Sequence, residues 1–339
     1  MKVDLRSDTV TQPTKAMMAA MMRAKLGDDV FGDDPTVIAL ETKAAKLFGH
    51  ESALFCPSGT MTNQIAIQVH THSPGEVICD NTAHIYRYEG GGIAYNANCS
   101  VRLINGDRGR FTLAQLMKKI NPDDIHLPPS QLVSIENTSN KGGGSIWETS
   151  DLKKISSHCK SKKIPLHMDG ARLFNALVAS NSKAEEIGPL FDSISICLSK
   201  GLGCPVGSLL IGSKAFIHKA RRIRKIMGGG MRQAGFLAAA GIYALDHHVK
   251  RLIDDHRRAQ YIVDYLTSVN YVEEICPAET NIVIFKLNDN VPMNQFIETL
   301  SSNGIGVVSM GPQLIRFVTH LGINDDNIQY LIGVLKEIA

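Results

Sequence analysis

Apolar positions along this chain follow two rhythms. Near the N-terminus, "PTKAMMAAMMRAKLG" sets methionine pairs at 17/18 and 21/22 between an opening proline and a closing glycine, the punctuation of a helix. The methionine stripe reads as core packing. "DDPTVIALETKAAKLFG" repeats the grammar, with Asp34 as N-cap and Gly49 as stop. From residue 51 the pattern changes: "ALFC" is a short apolar run that leads through "PSGT" into a helix carrying "IAIQVH". Further apolar runs follow at "EVICD", "QLVSIEN", "IPLHMDG", "SISICLS" and "GSLLIGS", most of them separated by helical or polar segments. Such alternation predicts an α/β fold, a mostly parallel sheet covered by helices on both faces. A polar, charged helix, "DHHVKRLIDDHRR" at 246–258, is expected to link to a second unit. There "NIVIFKL", "FIETLSSNG", "LIRFVTH" and "NIQYLIGVLKEI" alternate strand and helix again, as a small α+β domain does. The expected division is a large domain with an N-terminal arm at 1–245 and a small C-terminal domain at 246–339.

Length agrees with two domains, since 339 residues exceed the usual single core. Hydrophobic residues at 44% and charged residues at 20% are ordinary for a soluble globular chain. A formal charge of +3 is too small to imply a nucleic acid or membrane-surface partner. Seven cysteines without a CxxC pair argue against a disulfide framework and for a reducing compartment. "MKVDLRSDTV" has no apolar core and does not read as a signal peptide, and "FLAAAGIYAL" at 236–245 is too short to span a bilayer. A cytoplasmic location is expected.

Candidate chemistry lies at the strand ends, where parallel α/β sheets bind ligands. Ser58, Gly59 and Thr60 follow the first strand and open a helix, offering N–H groups, hydroxyls and a partial positive charge to a phosphate; a simple helix cap is the alternative. "IPLHMDGARL" ends in Asp169 with Arg172 beyond it, a carboxylate that needs a cation or a proton, a helix cap or an internal ion pair being the plainer readings. "SISICLSKGLG" ends in Ser199 and Lys200, either a lysine reaching solvent or an amine able to form a Schiff base. A phosphate cradle, an aspartate and a lysine on one sheet are the parts that hold pyridoxal 5'-phosphate. His84, just past the "EVICD" strand, is placed to stack on such a ring, and His126 lies in a loop. The histidine pairs at 70/72 and 247/248 show no metal-binding spacing, and no catalytic metal is expected. The basic stretch "KAFIHKARRIRKIMGGGMRQAG" is a solvated helix face, or it delivers Lys225 and Arg232 to a phosphate; a nucleic-acid surface would need more basic neighbours.

Taken together, "DLRSDTVTQPT", "GDDVFGDDPTV", "PSGTMTNQIA", "AHIYRYEGGG", "HMDGARLFNA", "LSKGLGCPVGS" and "GGGMRQAGFLAAAGIYAL" resemble the threonine aldolases, and "LIRFVTH" extends the likeness into the C-terminal part. The resemblance implies the type I fold of pyridoxal-phosphate enzymes, with a seven-stranded sheet in the large domain. It implies cleavage of L-threonine or L-allo-threonine to glycine and acetaldehyde. Lys200 would bond the cofactor, with Ser199 beside it, Asp169 would pair with the pyridine nitrogen, and His84 would stack on the ring. Ser58, Gly59 and Thr60 would hold the phosphate, with Lys225 and Arg232 arriving from a neighbouring subunit of a homotetramer with shared active sites. Ser7, Arg172 and Arg316 would hold the substrate carboxylate, Arg172 also bordering the cofactor. His126 would approach the β-hydroxyl, and it or His84 would move the proton. Ser139 departs from the family pattern, which commonly has histidine there. The rivals are a β-eliminating lyase or aminotransferase of the same fold and, further off, a non-enzymatic binding protein.

Overall fold

The computed structural model describes residues 2–338. After a two-residue strand, β1 (Val3–Asp4), the chain builds a seven-stranded sheet from β2 (Ser52–Cys56), β3 (Gly75–Asp80), β4 (Cys99–Ile104), β5 (Ser130–Glu136), β6 (Leu166–Gly170), β7 (Ser193–Cys197) and β8 (Ser208–Gly212). Their spatial order is β2-β8-β7-β6-β5-β3-β4. Only β8 runs against its neighbours β2 and β7; the other pairings are parallel. This is the mostly parallel α/β sheet expected from the alternation.

Local chemistry explains the elements. Strands β3, β6, β7 and β8 are buried along their whole length, as strands are when helices cover both faces of a sheet. Asp34 Oδ1 accepts from the N–H groups of Thr36 and Val37, each at 3.0 Å, and starts the helix Pro35–Leu47. In the first helix, Lys15–Met22, Thr14 rather than Pro13 is the cap. There Met17 and Met21 are buried while Met18 and Met22 face solvent, so one member of each methionine pair is core. Strand β4 was not among the expected strands. It is a sheet edge whose middle carries Ser100 and Arg102, the latter paired with Glu76, so its sequence lacks a continuous apolar run.

The expected helix at 246–258 is two elements. One helix, Gly235–His247, ends, the chain bends, and another, Leu252–Thr267, begins. His248 in the bend donates from Nδ1 to the Leu202 carbonyl at 2.7 Å, which stabilises the break. Beyond it lie β9 (Val272–Cys276), β10 (Ile282–Leu287), β11 (Ile305–Gly306), β12 (Val308–Gly311) and β13 (Leu314–Val318). Four of these form an antiparallel sheet ordered β12-β13-β10-β9. The edges β9 and β12 were not expected either, β9 presenting Glu273 and Glu274 to solvent.

Two main hydrophobic cores result. One gathers the large sheet with its helices; the other gathers Phe285, Phe296, Phe317 and Leu331 of the C-terminal region. Val3 and Leu5 belong to the second core, and β1 pairs in parallel with β11. The N-terminal arm is thereby tied to the C-terminal sheet, which brings Ser7 and Asp8 against the strand ends of the large sheet.

Candidate active site

Asp169 and His167 stand two apart on β6, so both project from the same face of the sheet. Asp169 is buried; its Oδ1 accepts from Ala171 N–H at 3.1 Å and its Oδ2 from Asn63 Nδ2 at 2.9 Å. Asn63 comes from the helix Gly59–His70, and the same Nδ2 donates to Glu89 Oε1 at 2.8 Å. His167 Nε2 lies 3.1 Å from Asn63 Oδ1, and Ser193 Oγ lies 2.8 Å from both His167 Nδ1 and His70 Nε2. Burial pushes His167 down to about 3, so the ring is neutral with one proton to give. That proton sits on Nε2, since the amide oxygen can only accept. The amide of Asn63 is thus locked with both its donors toward the two carboxylates.

His84 opens a four-residue helix, His84–Arg87, just past β3. Its Nδ1 is 2.9 Å from Glu89 Oε1, and its backbone N–H donates to Glu136 Oε2 at 2.9 Å. Burial opposes charging this imidazole, but the Glu89 bond and the nearby Asp169 and Glu136 outweigh it and raise the pKa. Glu136, at the end of β5 beside Asp169, is pushed up to about 7 by burial and by the Asp169 charge. Its Oε1 also accepts from Asn140 N–H at 2.9 Å. His84, Glu89 and Asp169 hold ligand-type atoms within 4.8 Å of one another. Asn63 donates into this space, so the cluster is organised around hydrogen-bond donors rather than a cation.

The phosphate-type cradle lies at the start of the Gly59–His70 helix. Ser58 Oγ accepts from Met61 N–H at 3.2 Å, which leaves the N–H groups of Gly59 and Thr60 in the first turn without an intrahelical acceptor. A Cβ on Gly59 would come within 2.5 Å of Cys197 Sγ on β7, so glycine is what lets helix and strand meet here. Lys200 lies three residues past the end of β7, following Ser199, and the chain then turns back into β8. In that turn Gly207 has φ +114 and a Cβ there would strike the Phe55 ring at 2.5 Å.

Lys200, His84, Ser7, Arg172 and Arg316 line one cavity of about 380 Å³, together with Asn140, Lys141 and residues of β12. Arg172 donates from Nε and Nη2 to the two oxygens of Asp8, each at 2.7 Å. The internal ion pair of Arg172 is therefore made with Asp8 of the N-terminal arm, not with Asp169. Burial works against the Asp8 carboxylate, yet the charges of Arg172 and Lys200 and the Arg172 bonds hold it down at about 2. Arg316 on β13 donates from Nη1 to Asn140 Oδ1 at 2.8 Å and from Nη2 to the Arg6 carbonyl at 2.9 Å. Its Nε is buried with no partner.

Other expected residues lie elsewhere in the single chain. His126 has its side chain 82% exposed, with Nδ1 2.9 Å from Asp124 Oδ1. Lys225 lines a separate surface depression with Phe31 and Arg221, and Arg232 donates to Asp28 at 2.8 Å. Ser139 is buried and turned into its own loop, its Oγ accepting from Gly142 N–H at 3.2 Å. Asp8, Asn63, Glu89, Glu136, Asn140 and His167 were not anticipated. A signal existed for two of them: "TNQ" sets three polar residues directly ahead of the apolar run "IAI" in one helix, and His167 alternates with Asp169 on a buried strand.

A family model described as Beta-eliminating lyase matches residues 4–290. The Low specificity L-threonine aldolase of Escherichia coli (strain K12) is 41% identical over 329 residues, 96% of either chain. The Low-specificity L-threonine aldolase 1 of Arabidopsis thaliana is 37% identical over 342 residues, 99% of this chain and 96% of its own. The chain belongs to the threonine aldolase family. A solved Leishmania major threonine aldolase has the same fold, with a TM-score of 0.87 at 20% identity, covering 99% of this chain and 100% of that one.

The cofactor of this threonine aldolase is pyridoxal 5'-phosphate, and the residues present fit it. A buried carboxylate at Asp169 accepts only from N–H donors, as a partner for a protonated ring nitrogen should. The helix start at Gly59 offers donors to a phosphate, and a buried guanidinium nitrogen of Arg316 still lacks an acceptor.

Proposed function

We propose that this chain cleaves L-threonine and L-allo-threonine between Cα and Cβ, yielding glycine and acetaldehyde. The observation that carries the reading is one cavity lined by Lys200, His84, Arg172 and Arg316 in a chain 41% identical to an Escherichia coli enzyme of that name. Pyridoxal phosphate, when bound, supplies the electron sink that lets a bond at Cα break heterolytically. Lys200 would hold the cofactor aldehyde and would be placed to accept or return a proton near Cα. Asp169 keeps the ring nitrogen protonated, and Asn63, fixed by His167, keeps Asp169 aimed. His84, held by Glu89 through Nδ1, would stack on the cofactor ring. Arg316 would take the substrate carboxylate with its guanidinium, whose Nε has no partner inside the chain, with Ser7 beside it. Arg172, neutralised by Asp8, borders the cofactor and shapes the site. Holding the carboxylate would fix how the amino acid is oriented and so which bond at Cα is cleaved. His84 or His126, or a water between them, moves the β-hydroxyl proton.

His126, Lys225 and Arg232 complete the site from a neighbouring copy in a homotetramer. Support comes from the apolar side chains exposed in the same region as Lys225: Phe31 is 80% and Ile226 is 77% exposed. The domain division at 245/246 and a cytoplasmic location belong to the same reading. All seven cysteines are free, and no helix among the described residues is long and apolar enough to cross a membrane. The test is product analysis on purified protein given L-threonine. Equimolar glycine and acetaldehyde support the reading. Ammonia with a keto acid would favour the elimination chemistry in the family model's description instead.

A further inference from the structure

Four side chains with standing positive charge line the cavity, and no carboxylate does: Lys141, Arg172, Lys200 and Arg316. Three are accounted for under the aldolase reading, on which this inference rests. Arg172 is neutralised by the two oxygens of Asp8. Arg316 spends its Nη groups on neutral oxygens, Asn140 Oδ1 and the Arg6 carbonyl, which leaves its charge for the single α-carboxylate of the substrate. Lys200 is taken by the cofactor. Lys141 remains, half-buried, and the one bond recorded for its Nζ is a long 3.4 Å contact to the Met310 carbonyl.

The position of Lys141 is built rather than incidental. Its loop is pinned on both sides: Asn140 N–H donates to Glu136 at 2.9 Å, Gly142 N–H to Ser139 Oγ at 3.2 Å, and Arg108 Nε to the Gly142 carbonyl at 3.0 Å. Arg108 is itself paired with Glu279 at 2.6 Å. Lys141 also follows directly on Asn140, the partner of Arg316, and lines the same cavity, so its ammonium stands near an amino acid held at Arg316. The methyl of threonine offers that ammonium nothing; a carboxylate one bond from Cβ neutralises it.

We propose that Lys141 recognises a second carboxylate on the substrate, and that this enzyme also cleaves 3-hydroxyaspartate to glycine and glyoxylate. The step balances without any co-reactant. The Cα–Cβ bond breaks, the β-hydroxyl loses its proton and becomes the aldehyde oxygen of glyoxylate, and Cα gains a proton to give glycine.

The experiment compares kcat/KM for 3-hydroxyaspartate and L-threonine in the wild-type holoenzyme, Lys141→Gln and Lys141→Arg. The ratio of the two values is expected to fall ~10- to 100-fold in Lys141→Gln and to recover largely in Lys141→Arg. Calorimetry with L-aspartate and L-asparagine, alike in size and different in charge, supplies a readout without turnover. The wild type is expected to bind aspartate at least ~10-fold more tightly relative to asparagine than Lys141→Gln does. An unchanged ratio in both measurements overturns the proposal. So does an equal rise of KM for both substrates, which would assign Lys141 to the α-carboxylate. Failure of the wild type to cleave threonine would instead sink the aldolase reading, and the aspartate–asparagine comparison would still report on Lys141.

Discussion

Around Asp169 the polar atoms find partners inside the chain: Asn63 bridges it to Glu89, His167 fixes Asn63, Ser193 holds His167, and Glu136 ties the backbone of His84 to that of Asn140. Around Lys225 the opposite holds. Arg224, one residue earlier on the same helix, is buried against Asp29 and the Phe55 carbonyl, but Lys225 faces outward with Phe31 and Ile226 exposed nearby. The floor of the site is closed and self-sufficient, whereas the flank presents cationic and apolar groups together. Burying a polar atom without a partner is costly, so a floor that must exclude water has to complete its own network. A flank of exposed apolar side chains among cations is a surface suited to being covered by a partner.

The sharpest way to break this contrast is Lys200→Ala. Turnover is expected to fall by at least ~1000-fold, with circular dichroism and melting temperature nearly unchanged. A variant retaining a substantial fraction of activity would remove the lysine from the centre of the site.

Asn63→Ala tests whether the floor positions Asp169 or merely packs. With both carboxylates deprived of their shared donor, kcat is expected to fall ~10- to 100-fold per bound cofactor, with a displaced pH profile. A purely structural residue would lower stability and leave both the profile and the kcat of the folded holoenzyme alone.

The Asp8–Arg172 pair gives the closed region a pH signature. The folded pKa of Asp8, about 2, lies below its ordinary 3.8, so the carboxylate stabilises the fold above pH ~4. This contribution, about 2 kcal/mol, disappears as the pH falls from roughly 4 through 2. Urea unfolding of the wild type and Asp8→Asn across that range measures it: the gap between them should narrow as acid is added, and a constant gap would contradict the pairing.

Lys225→Ala and Arg232→Ala should have the smallest effect, and one that depends on protein concentration. Cofactor affinity is expected to weaken ~10-fold, measured by fluorescence titration of the apoenzyme, most clearly where sedimentation shows intact assemblies. Equal affinity in the variants and the wild type would leave the flank as a solvated helix face.

Much of the scaffold was legible because its signals are local. The short, mainly apolar runs of β3, β6, β7 and β8, the Asp34 cap and the Ser58-Gly59-Thr60 helix start each depend on a few adjacent residues. The edges β4, β9 and β12 escaped notice for the complementary reason: a strand open on one side can carry serine, arginine and glutamate, and its pattern then resembles a loop. The candidate site divides the same way. Asp169 and Lys200 stood out as strand-end residues, but the partner of Arg172 did not.

The sequence by itself determined the alternation of the central strands and helices, the lysine, the aspartate and the helix start that point to a phosphate-bearing aldehyde cofactor, and, with its motifs, the family. Tertiary structure decided who holds whom. Asp8 reaches Arg172 across 164 residues, Asn63 reaches Asp169 across 106, and Arg316 meets the Arg6 carbonyl across 310. No local pattern encodes such pairings, because each arises when packing removes water from a polar atom and leaves it one neighbour to bond. Which neighbour that is depends on where β1 docks and how the sheets meet, and those are properties of the folded chain as a whole.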